Sequence, residues 1–341
     1  MPEITQKSEV PGARDMGDHI VGIIDSFHSK SIDAIASRLP SGWRLSIAEG
    51  TSEAARHDAL RDVDALYVMA SPISAPLLDA APRLRFIQKL GAGVDRIDVH
   101  ACLERGIAVA RLQAGNAIPV AEHTLLLMLA ACRRLPLLDR ETRAGGWDKE
   151  EARGFGRQIH GKTVGIVGLG AIGQTVVRLL KGFAADICYY DPRRADASVE
   201  SALGVRYVSL DALVEQADIL SLHLPLTNTT ANLFDASRLA AMKPGSILVN
   251  CARGGLVDEA ALHDALVSGR IFAAGLDAFA KEPPVGSPLL GLDQTVVTPH
   301  TAGATLDNFG SVVERAVRNT EGFFAGAELP ENDIVLLPPH A

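Results

Sequence analysis

The sequence has few cysteines, no surplus of positive charge and no long apolar run. Its 341 residues include four cysteines, none in a CxxC pair, a pattern typical of reduced, buried thiols rather than of disulfides or a zinc site. The longest uninterrupted apolar run covers residues 125–132, far short of the roughly 20 residues that cross a bilayer. The net charge of −8 argues against a nucleic-acid partner, which would need a basic patch. We therefore expect a soluble, cytoplasmic protein with no metal site, no membrane attachment and no nucleic-acid partner.

Length and composition indicate a globular chain of two domains. Apolar residues make up 47% and charged residues 22% of the sequence, and a chain of this length exceeds what one simple core usually serves. Short β-rich runs alternate with amphipathic stretches, which predicts an α/β fold with parallel sheets covered by helices on both faces. The predicted strands are residues 20–25, 44–47, 65–70, 85–90, 107–111, 163–167, 186–190, 219–223, 246–250, 271–276 and 295–298.

Apolar spacing predicts the longer helices, and glycine content predicts one long loop. The predicted helices are residues 31–39, 120–134, 171–181 and 306–325. The segment 144–158 is rich in glycine and charge, which is typical of a loop.

A nucleotide motif that begins near residue 165 leaves a whole domain's length of chain before it. We therefore predict two doubly wound parallel-sheet domains. A Rossmann nucleotide domain, 119–300, is inserted in a discontinuous, flavodoxin-like substrate domain, 20–118 plus 301–330. Residues 1–19 are predicted to form a flexible tail.

The predicted strand 163–167 runs directly into Gly168-Leu169-Gly170-Ala171-Ile172-Gly173, a GxGxxG pattern that opens an apolar helix. The first glycine permits a tight turn, the second lets the backbone approach a pyrophosphate, and the third lets helix and strand pack closely. The helix N-terminus, at Ala171 and Ile172, supplies N–H donors for the phosphates. The segment therefore predicts a dinucleotide site.

An acidic residue, Asp191, ends the next predicted strand. A carboxylate at this place can bind the adenosine ribose hydroxyls and repels a 2′-phosphate, which favours NAD. Arg193 and Arg194 follow at once; they could hold a 2′-phosphate or lie in solvent as ordinary loop cations. NADP therefore stays possible beside NAD.

Three polar side chains at the ends of predicted strands suit hydride transfer to a 2-oxo acid: Arg253, Glu282 and His300. A guanidinium suits a substrate carboxylate, and an imidazole beside a carboxylate suits proton donation near neutral pH. Taken singly, each also fits an ordinary role, as a surface ion pair, a solvated acid or a turn residue.

In combination, several segments resemble the D-isomer-specific 2-hydroxyacid dehydrogenase family, and the resemblance covers nearly the whole chain after residue 20. These segments are GAGVD (91–95), NAIPVAEHTLLLML (116–129), GKTVGIVGLGAIGQ (161–174), HLPLT (223–227), NCARGGLVDE (250–259), GLDAFAKEPP (275–284) and TPHTAG (298–303).

The resemblance implies a role for each candidate residue. It implies that Arg253 binds and polarises the substrate, that His300 is the acid/base with Glu282 as its partner, and that Asp277 contacts the nicotinamide amide. It also implies a homodimer formed through the central domain, with Trp147 in the interdomain or dimer-loop region. The backbone expected to hold the substrate carboxylate, together with Arg253 and His300, is Leu90, Gly91, Ala92 and Gly93.

The predicted cofactor site draws on the glycine segment and on the ends of the later strands. Cys251 is also interpreted as a packing residue, and His223 as either a cofactor neighbour or a loop histidine. The predicted cofactor-binding residues are Gly168, Gly170, Ala171, Ile172, Gly173, Asp191, His223, Pro225, Thr230, Cys251, Ala252, Arg253, Asp277 and His300.

Departures from the family's patterns narrow the substrate. Formate-oxidising relatives typically have Gln where this chain has Glu282, which argues against formate as substrate. Phosphoglycerate relatives tend to have Arg where this chain has Met69, which argues against phosphoglycerate. Phosphite-oxidising relatives use a Lys near the position of Lys89, so phosphite stays a minor alternative. We expect an NAD-dependent dehydrogenase of a small 2-oxo/2-hydroxy acid, of the glyoxylate or hydroxypyruvate type. The alternatives are an NAD(H)-sensing, corepressor-like scaffold of the same fold and an enzyme of the phosphoglycerate dehydrogenase type.

Overall fold

The computed structural model describes residues 17–338, and most of the predicted tail (1–19) therefore lies outside the described residues. The strands, in chain order, are β1 (Ile20–Ile23), β2 (Arg44–Ile47), β3 (Ala65–Val68), β4 (Phe86–Lys89), β5 (Ala108–Ala110), β6 (Thr163–Val167), β7 (Asp186–Tyr190), β8 (Arg206–Tyr207), β9 (Ile219–Leu222), β10 (Ser246–Asn250), β11 (Ile271–Leu276), β12 (Thr295–Val297) and β13 (Ile334–Leu336).

The α-helices alternate with these strands along most of the chain. They are α1 (Ser29–Ala36), α2 (Glu53–Leu60), α3 (Ala75–Asp79), α4 (Val99–Glu104), α5 (Ala117–Arg133), α6 (Leu135–Arg143), α7 (Lys149–Phe155), α8 (Ala171–Leu180), α9 (Ala197–Leu203), α10 (Leu210–Gln216), α11 (Ala236–Ala241), α12 (Glu259–Val267) and α13 (Leu306–Ala325).

The chain divides into two compact units. Of the described residues, 17–115 and 306–338 form one unit, the terminal unit, and Asn116 to Thr305 form the other, the central unit. Each unit has a sheet of its own, so the α/β fold class with two largely parallel sheets is confirmed.

The sheet of the terminal unit has the order β2-β1-β3-β4-β5-β13. Its first five strands are parallel and follow the flavodoxin-like order 2-1-3-4-5. Strand β13 was not predicted. It pairs antiparallel with β5, so the sheet contains one antiparallel pairing beside the predicted parallel ones. The buried Asp333 fixes the last strand in place, because its carboxylate binds the guanidinium of Arg315 on α13 and the backbone N–H of Gln113.

The sheet of the central unit has the order β8-β7-β6-β9-β10-β11-β12, and all its pairings are parallel. Renumbered within the unit this is 3-2-1-4-5-6-7, which extends the Rossmann order by one strand. The strand order reverses between β6 and β9, and the carboxyl ends of strands at such a switch point are where ligands bind in open α/β sheets.

A helix lies inside a segment predicted to be a loop, so the prediction for 144–158 is wrong there. Helix α7 begins after Asp148, whose carboxylate accepts the backbone N–H of Glu151 at 2.9 Å. This side chain satisfies an end N–H group that would otherwise lack a partner. The surrounding glycines hid the helix, because they lower helix propensity over the whole window.

Close backbone contact sets the position of α5 on the central sheet. A Cβ built on Gly275 in β11 would lie 2.9 Å from the Cβ of Leu127 on α5. Glycine at 275 therefore lets the helix approach the strand closely, which brings the residues one turn before Leu127 to the carboxyl end of β11. Within residues 17–338, no helix is both long enough and apolar enough to traverse a membrane.

Candidate dinucleotide-binding and active site

The three glycines after β6 have three different surroundings. Gly168 has φ +101, and a Cβ on it would lie 2.9 Å from the carbonyl of His223. A Cβ on Gly173 would lie 2.2 Å from the carbonyl oxygen of Gly168, whereas one on Gly170 would meet no atom within 4 Å. Gly168 and Gly173 are therefore required by the turn and its packing, and Gly170 leaves open space at the N-terminus of α8. This space suits the close approach of a phosphate group.

Asp191 is tied to the glycine turn. Its Oδ2 accepts the backbone N–H of Leu169 at 2.9 Å, and its Oδ1 accepts the backbone N–H of Arg193 at 2.9 Å. The carboxylate thus lies beside the turn, as the dinucleotide hypothesis requires. Each oxygen keeps a lone pair for a hydroxyl donor.

Arg194, which could have served a 2′-phosphate, is bound to a carboxylate. Its guanidinium donates to both oxygens of Glu200 on α9, at 2.9 and 3.0 Å. The Tyr189 hydroxyl donates to Glu200 as well, at 2.7 Å, and the guanidinium lies over the ring of Tyr207. The bonds from Arg194 and Tyr189 lower the pKa of Glu200 to about 2.

The segment after β9 lies at the switch point. The backbone of His223 contacts Gly168, and its Nε2 lies 2.9 Å from the Ser221 hydroxyl. Burial lowers the pKa of His223 to about 4, so the imidazole is neutral at pH 7. The hydroxyl of Thr230 donates to the carbonyl of Pro225 at 2.7 Å, which closes the loop between these two predicted cofactor residues.

The loop after β10 carries Arg253. Its shape depends on Asn250 and Gly254, which were not among the predicted site residues. Asn250 is buried; its amide donates to the carbonyl of Arg253 at 2.8 Å, and its carbonyl oxygen accepts the N–H of Ala252 at 3.0 Å. A Cβ on Gly254 would lie 1.9 Å from the carbonyl carbon of Phe279. The loop of Arg253 is therefore pressed against the segment after β11. The signal available in the sequence was an asparagine followed four and five residues later by two glycines.

Cys251, in the same loop, is buried, and burial raises the pKa of its thiol to about 12. The thiol is therefore neutral and unreactive at pH 7. Its surroundings agree with the interpretation of Cys251 as a packing residue.

His300 and Glu282 are brought together, although 18 residues separate them. The Nδ1 atom of His300 lies 2.8 Å from Oε1 of Glu282, and the same oxygen accepts the N–H of Phe279 at 3.2 Å. The His300 side chain keeps 43% of its surface exposed. His300 also has φ +56, a left-handed conformation that non-glycine residues rarely adopt.

Asp277 is fully buried and its carboxylate is occupied by the protein's own donors. Oδ1 accepts the hydroxyl of Thr298 at 2.6 Å and the N–H of Thr301 at 2.8 Å, and Oδ2 accepts the N–H of Ala302 at 2.9 Å. A nicotinamide contact, implied by the family resemblance, stays a prediction for this residue.

The backbone segment Leu90–Gly93 belongs to the terminal unit and follows β4. Leu90 is buried, and its N–H donates to the carbonyl of Val68 at 2.8 Å. The ammonium of the neighbouring Lys89 donates to the carbonyl of Met69 at 2.5 Å. Among residues 17–338, no three His, Cys, Asp or Glu side chains cluster as a metal site would need.

The strand order, the glycine turn at the switch point and the acid beside it define a dinucleotide-binding α/β protein. Residues 125–302 match the family model for the NAD binding domain of D-isomer specific 2-hydroxyacid dehydrogenases. By sequence and by fold, this chain belongs to the D-isomer specific 2-hydroxyacid dehydrogenase family, which confirms the resemblance.

Known relatives and a solved structure are similar over most of the chain. D-3-phosphoglycerate dehydrogenase of Mycobacterium tuberculosis is 42% identical over 88% of this chain, which spans only 56% of that protein's length. Hydroxypyruvate reductase of Thermotoga maritima is 40% identical over 76% of this chain and 85% of its own. The crystal structure of the TT0316 protein from Thermus thermophilus superposes with a TM-score of 0.82 at 33% identity, covering 93% of this chain and all of the other.

Proposed function

We propose that this chain is an NAD-dependent dehydrogenase that interconverts a small 2-oxo acid and the corresponding D-2-hydroxy acid. The observation that carries the proposal is the 2.8 Å contact between His300 Nδ1 and Glu282. This pair lies at the carboxyl edge of a Rossmann sheet, the edge at which the glycine turn would seat a dinucleotide.

NAD, when bound, supplies or accepts a hydride. This chain would orient the dinucleotide. The backbone N–H groups at the start of α8, next to the open space left by Gly170, would bind its phosphates. The carboxylate of Asp191, next to the turn, is placed for ribose hydroxyls and against a 2′-phosphate. The engagement of Arg194 with Glu200 supports NAD over NADP, because the guanidinium already has a carboxylate partner.

His300 moves the proton. In the reducing direction its Nε2 donates to the substrate oxygen as negative charge develops there, and in the oxidising direction it accepts that proton. Glu282 orients the ring through Nδ1 and stabilises the charged imidazolium.

Arg253 polarises the substrate oxygen and binds the carboxylate, a task that suits its planar fork. Its loop is supported by Asn250 and by the close packing at Gly254. The backbone at Leu90, Gly91, Ala92 and Gly93 is proposed, from the family resemblance, to bind the substrate carboxylate as well.

For the substrate we propose glyoxylate, hydroxypyruvate or a related small acid. The hydroxypyruvate reductase relative, which this chain covers over most of its length, supports this choice. A phosphoglycerate dehydrogenase activity is the second candidate, favoured by the 42% identity to the mycobacterial enzyme. Met69, at a place where phosphoglycerate relatives tend to have Arg, argues against it.

We propose a homodimer formed through the central unit and a cytoplasmic location. Several apolar side chains of α5 and of the chain that follows it are exposed to solvent: Ile118, Leu126, Leu129, Leu135 and Trp147. Exposed apolar side chains that recur along one stretch of chain are what a second copy would cover. All four cysteines are free and buried, which suits a reducing compartment.

The proposal is tested by NADH oxidation with a panel of 2-oxo acids that includes glyoxylate, hydroxypyruvate and 3-phosphohydroxypyruvate. Turnover should be fastest with one of the small acids, and His300→Gln should lower kcat by about 10²- to 10⁴-fold while NADH binding stays near normal. His263→Gln is the matched control, since His263 lies on α12 and pairs with Asp264 on the same helix. Tight NADH binding without NADH oxidation in the presence of any acid of the panel would contradict the dehydrogenase proposal and favour the NAD(H)-sensing scaffold.

A further inference from the structure

A chain of three polar side chains lies under the turn that carries His300. The Nε2 atom of His123, on α5, is 2.9 Å from the hydroxyl of Thr298, and this hydroxyl donates to Asp277 at 2.6 Å. The sequence separates His123 from Thr298 by 175 residues. All three groups belong to the central unit, and none of them is among the acid/base residues of the proposed function.

The network connects to both sides of His300. Thr298 comes two residues before it, and the amides of Thr301 and Ala302, which come directly after it, donate to the Asp277 carboxylate. His300 itself is held at φ +56, and a left-handed non-glycine residue persists only where its surroundings over-determine it. Here the bonds to Asp277 bracket the strained residue. They therefore constrain the direction in which its imidazole leaves the backbone.

The direction of the hydrogen bonds follows from counting protons. A threonine hydroxyl has one proton, and that of Thr298 goes to the Asp277 carboxylate. The contact with His123 must then have Nε2–H as donor and the Thr298 oxygen as acceptor. This fixes the tautomer of a neutral His123, and it makes Thr298 the link between α5 and the carboxylate.

The helix reaches this position because of a glycine. Gly275, two residues before Asp277, leaves room for Leu127, which is one turn after His123 on α5. The imidazole of His123 is consequently mostly buried, with 15% of its surface exposed, and lies 3.6 Å from the Asp277 oxygen.

We propose that Thr298, supported by Asp277 and His123, is a positioning residue that holds the His300 imidazole in line with Glu282. The functional consequence rests on the dehydrogenase activity proposed above, but the positioning itself does not. Loss of the Thr298 hydroxyl should let the turn relax from its left-handed conformation and move the ring away from Glu282. A misplaced acid/base lowers turnover without weakening the binding of the dinucleotide.

The test compares Thr298→Val, which keeps the shape and loses the hydroxyl, with Thr298→Ser, which keeps the hydroxyl. Thr295→Val is the matched control. Thr295 lies on β12, three residues before Thr298, and its buried hydroxyl donates to the carbonyls of Leu289 and Leu292 rather than to Asp277. The first readout is the imidazole ¹H–¹⁵N spectrum of His300 without substrate, and the second is steady-state kinetics with NADH.

In Thr298→Val we expect the His300 signals to shift and kcat to fall by about 10- to 100-fold, with the KM for NADH unchanged. The Ser variant should restore both, and Thr295→Val should leave both as in the wild type. His300 signals and kcat in Thr298→Val that match the wild type would overturn the proposal.

Should Thr298→Val fail to fold, His123→Phe and His123→Gln give the same comparison, because Gln can replace the Nε2–H donor and Phe cannot. Shifted His300 signals in the Phe variant alone support the positioning role, and signals unchanged in both overturn it. A wild-type protein that oxidises no NADH would defeat the proposed function while the spectra still decide the positioning role.

Discussion

At the scale of the residue, two glycines of the dinucleotide turn have different surroundings. Gly173 packs against the carbonyl oxygen of Gly168, whereas Gly170 faces open space with a φ of −72° that any residue can adopt. The sequence pattern predicts phosphate approach for Gly170 and helix–strand packing for Gly173, but it does not show what surrounds either glycine. The structure does, because it shows which missing side chain would meet protein and which would meet only solvent or ligand.

This difference predicts opposite defects for two alanine variants. Gly170→Ala should keep the unfolding temperature of the wild type and weaken NADH binding by about tenfold or more, because its Cβ occupies the space a phosphate needs. Gly173→Ala should lower the unfolding temperature, since its Cβ would lie 2.2 Å from an oxygen. Thermal unfolding and NADH fluorescence titration measure the two effects. Normal NADH binding by Gly170→Ala would contradict the placement of a cofactor phosphate next to Gly170.

At the scale of the element, we expect the connection from β7 to α9 to influence which dinucleotide the site prefers. One hydrogen-bonded group joins three parts of this region: Arg194 in the connection, Glu200 on α9 and Tyr189 on β7. The sequence shows this cation three residues after Asp191, but it does not show whether the guanidinium is available to a 2′-phosphate. Glu200 lies six residues further on, and only the packing of α9 beside the strand brings it back.

Freeing this arginine should shift the cofactor preference. Glu200→Gln removes the negative charge that holds Arg194, so we expect NADPH to bind more tightly relative to NADH, with the ratio of their dissociation constants changing by about tenfold. Asp186→Asn is the control, because Asp186, on β7, also pairs with an arginine, but this arginine is Arg206 and the pair lies in solvent. Fluorescence titration with both dinucleotides gives the ratio. An unchanged ratio in Glu200→Gln would mean that Arg194 does not reach the 2′ position.

Several strands that are bounded by turn residues were predicted more accurately than two short edge strands. Strands β6, β7, β10 and β11 match their predicted bounds, because each is a β-rich run that is bounded by turn residues. The edge strands β8 and β13 were missed, since two or three residues give no periodicity to detect. Their pairing comes from the neighbouring strand rather than from their own sequence.

At the scale of the whole molecule, the exposed apolar side chains of the central unit predict association. Leu126 keeps 52% and Trp147 keeps 77% of its surface exposed, and both belong to the series of exposed apolar side chains on α5 and in the chain after it, which we expect a partner to cover. Replacing Leu126 by Glu should turn a dimer into a monomer, because a charge cannot be buried there without a partner. Sedimentation velocity or light scattering measures the mass.

Val267→Glu is the control for this prediction, since Val267 is exposed on α12 and lies apart in sequence from this apolar group. It should leave the mass unchanged. A wild-type protein that sediments as a monomer at micromolar concentration would contradict the dimer.

The amino-acid sequence by itself determined the α/β class, the place of the dinucleotide turn and the residues that could carry hydride chemistry. These depend on neighbours along the chain: a strand, three glycines, a helix, and polar residues at strand ends. Only the tertiary structure decided that His300 faces Glu282, that Arg194 is held by Glu200, and that His123 reaches Thr298. Such contacts arise where the close packing of helices on the sheet brings distant side chains within hydrogen-bond range, and no local pattern of the sequence encodes that distance.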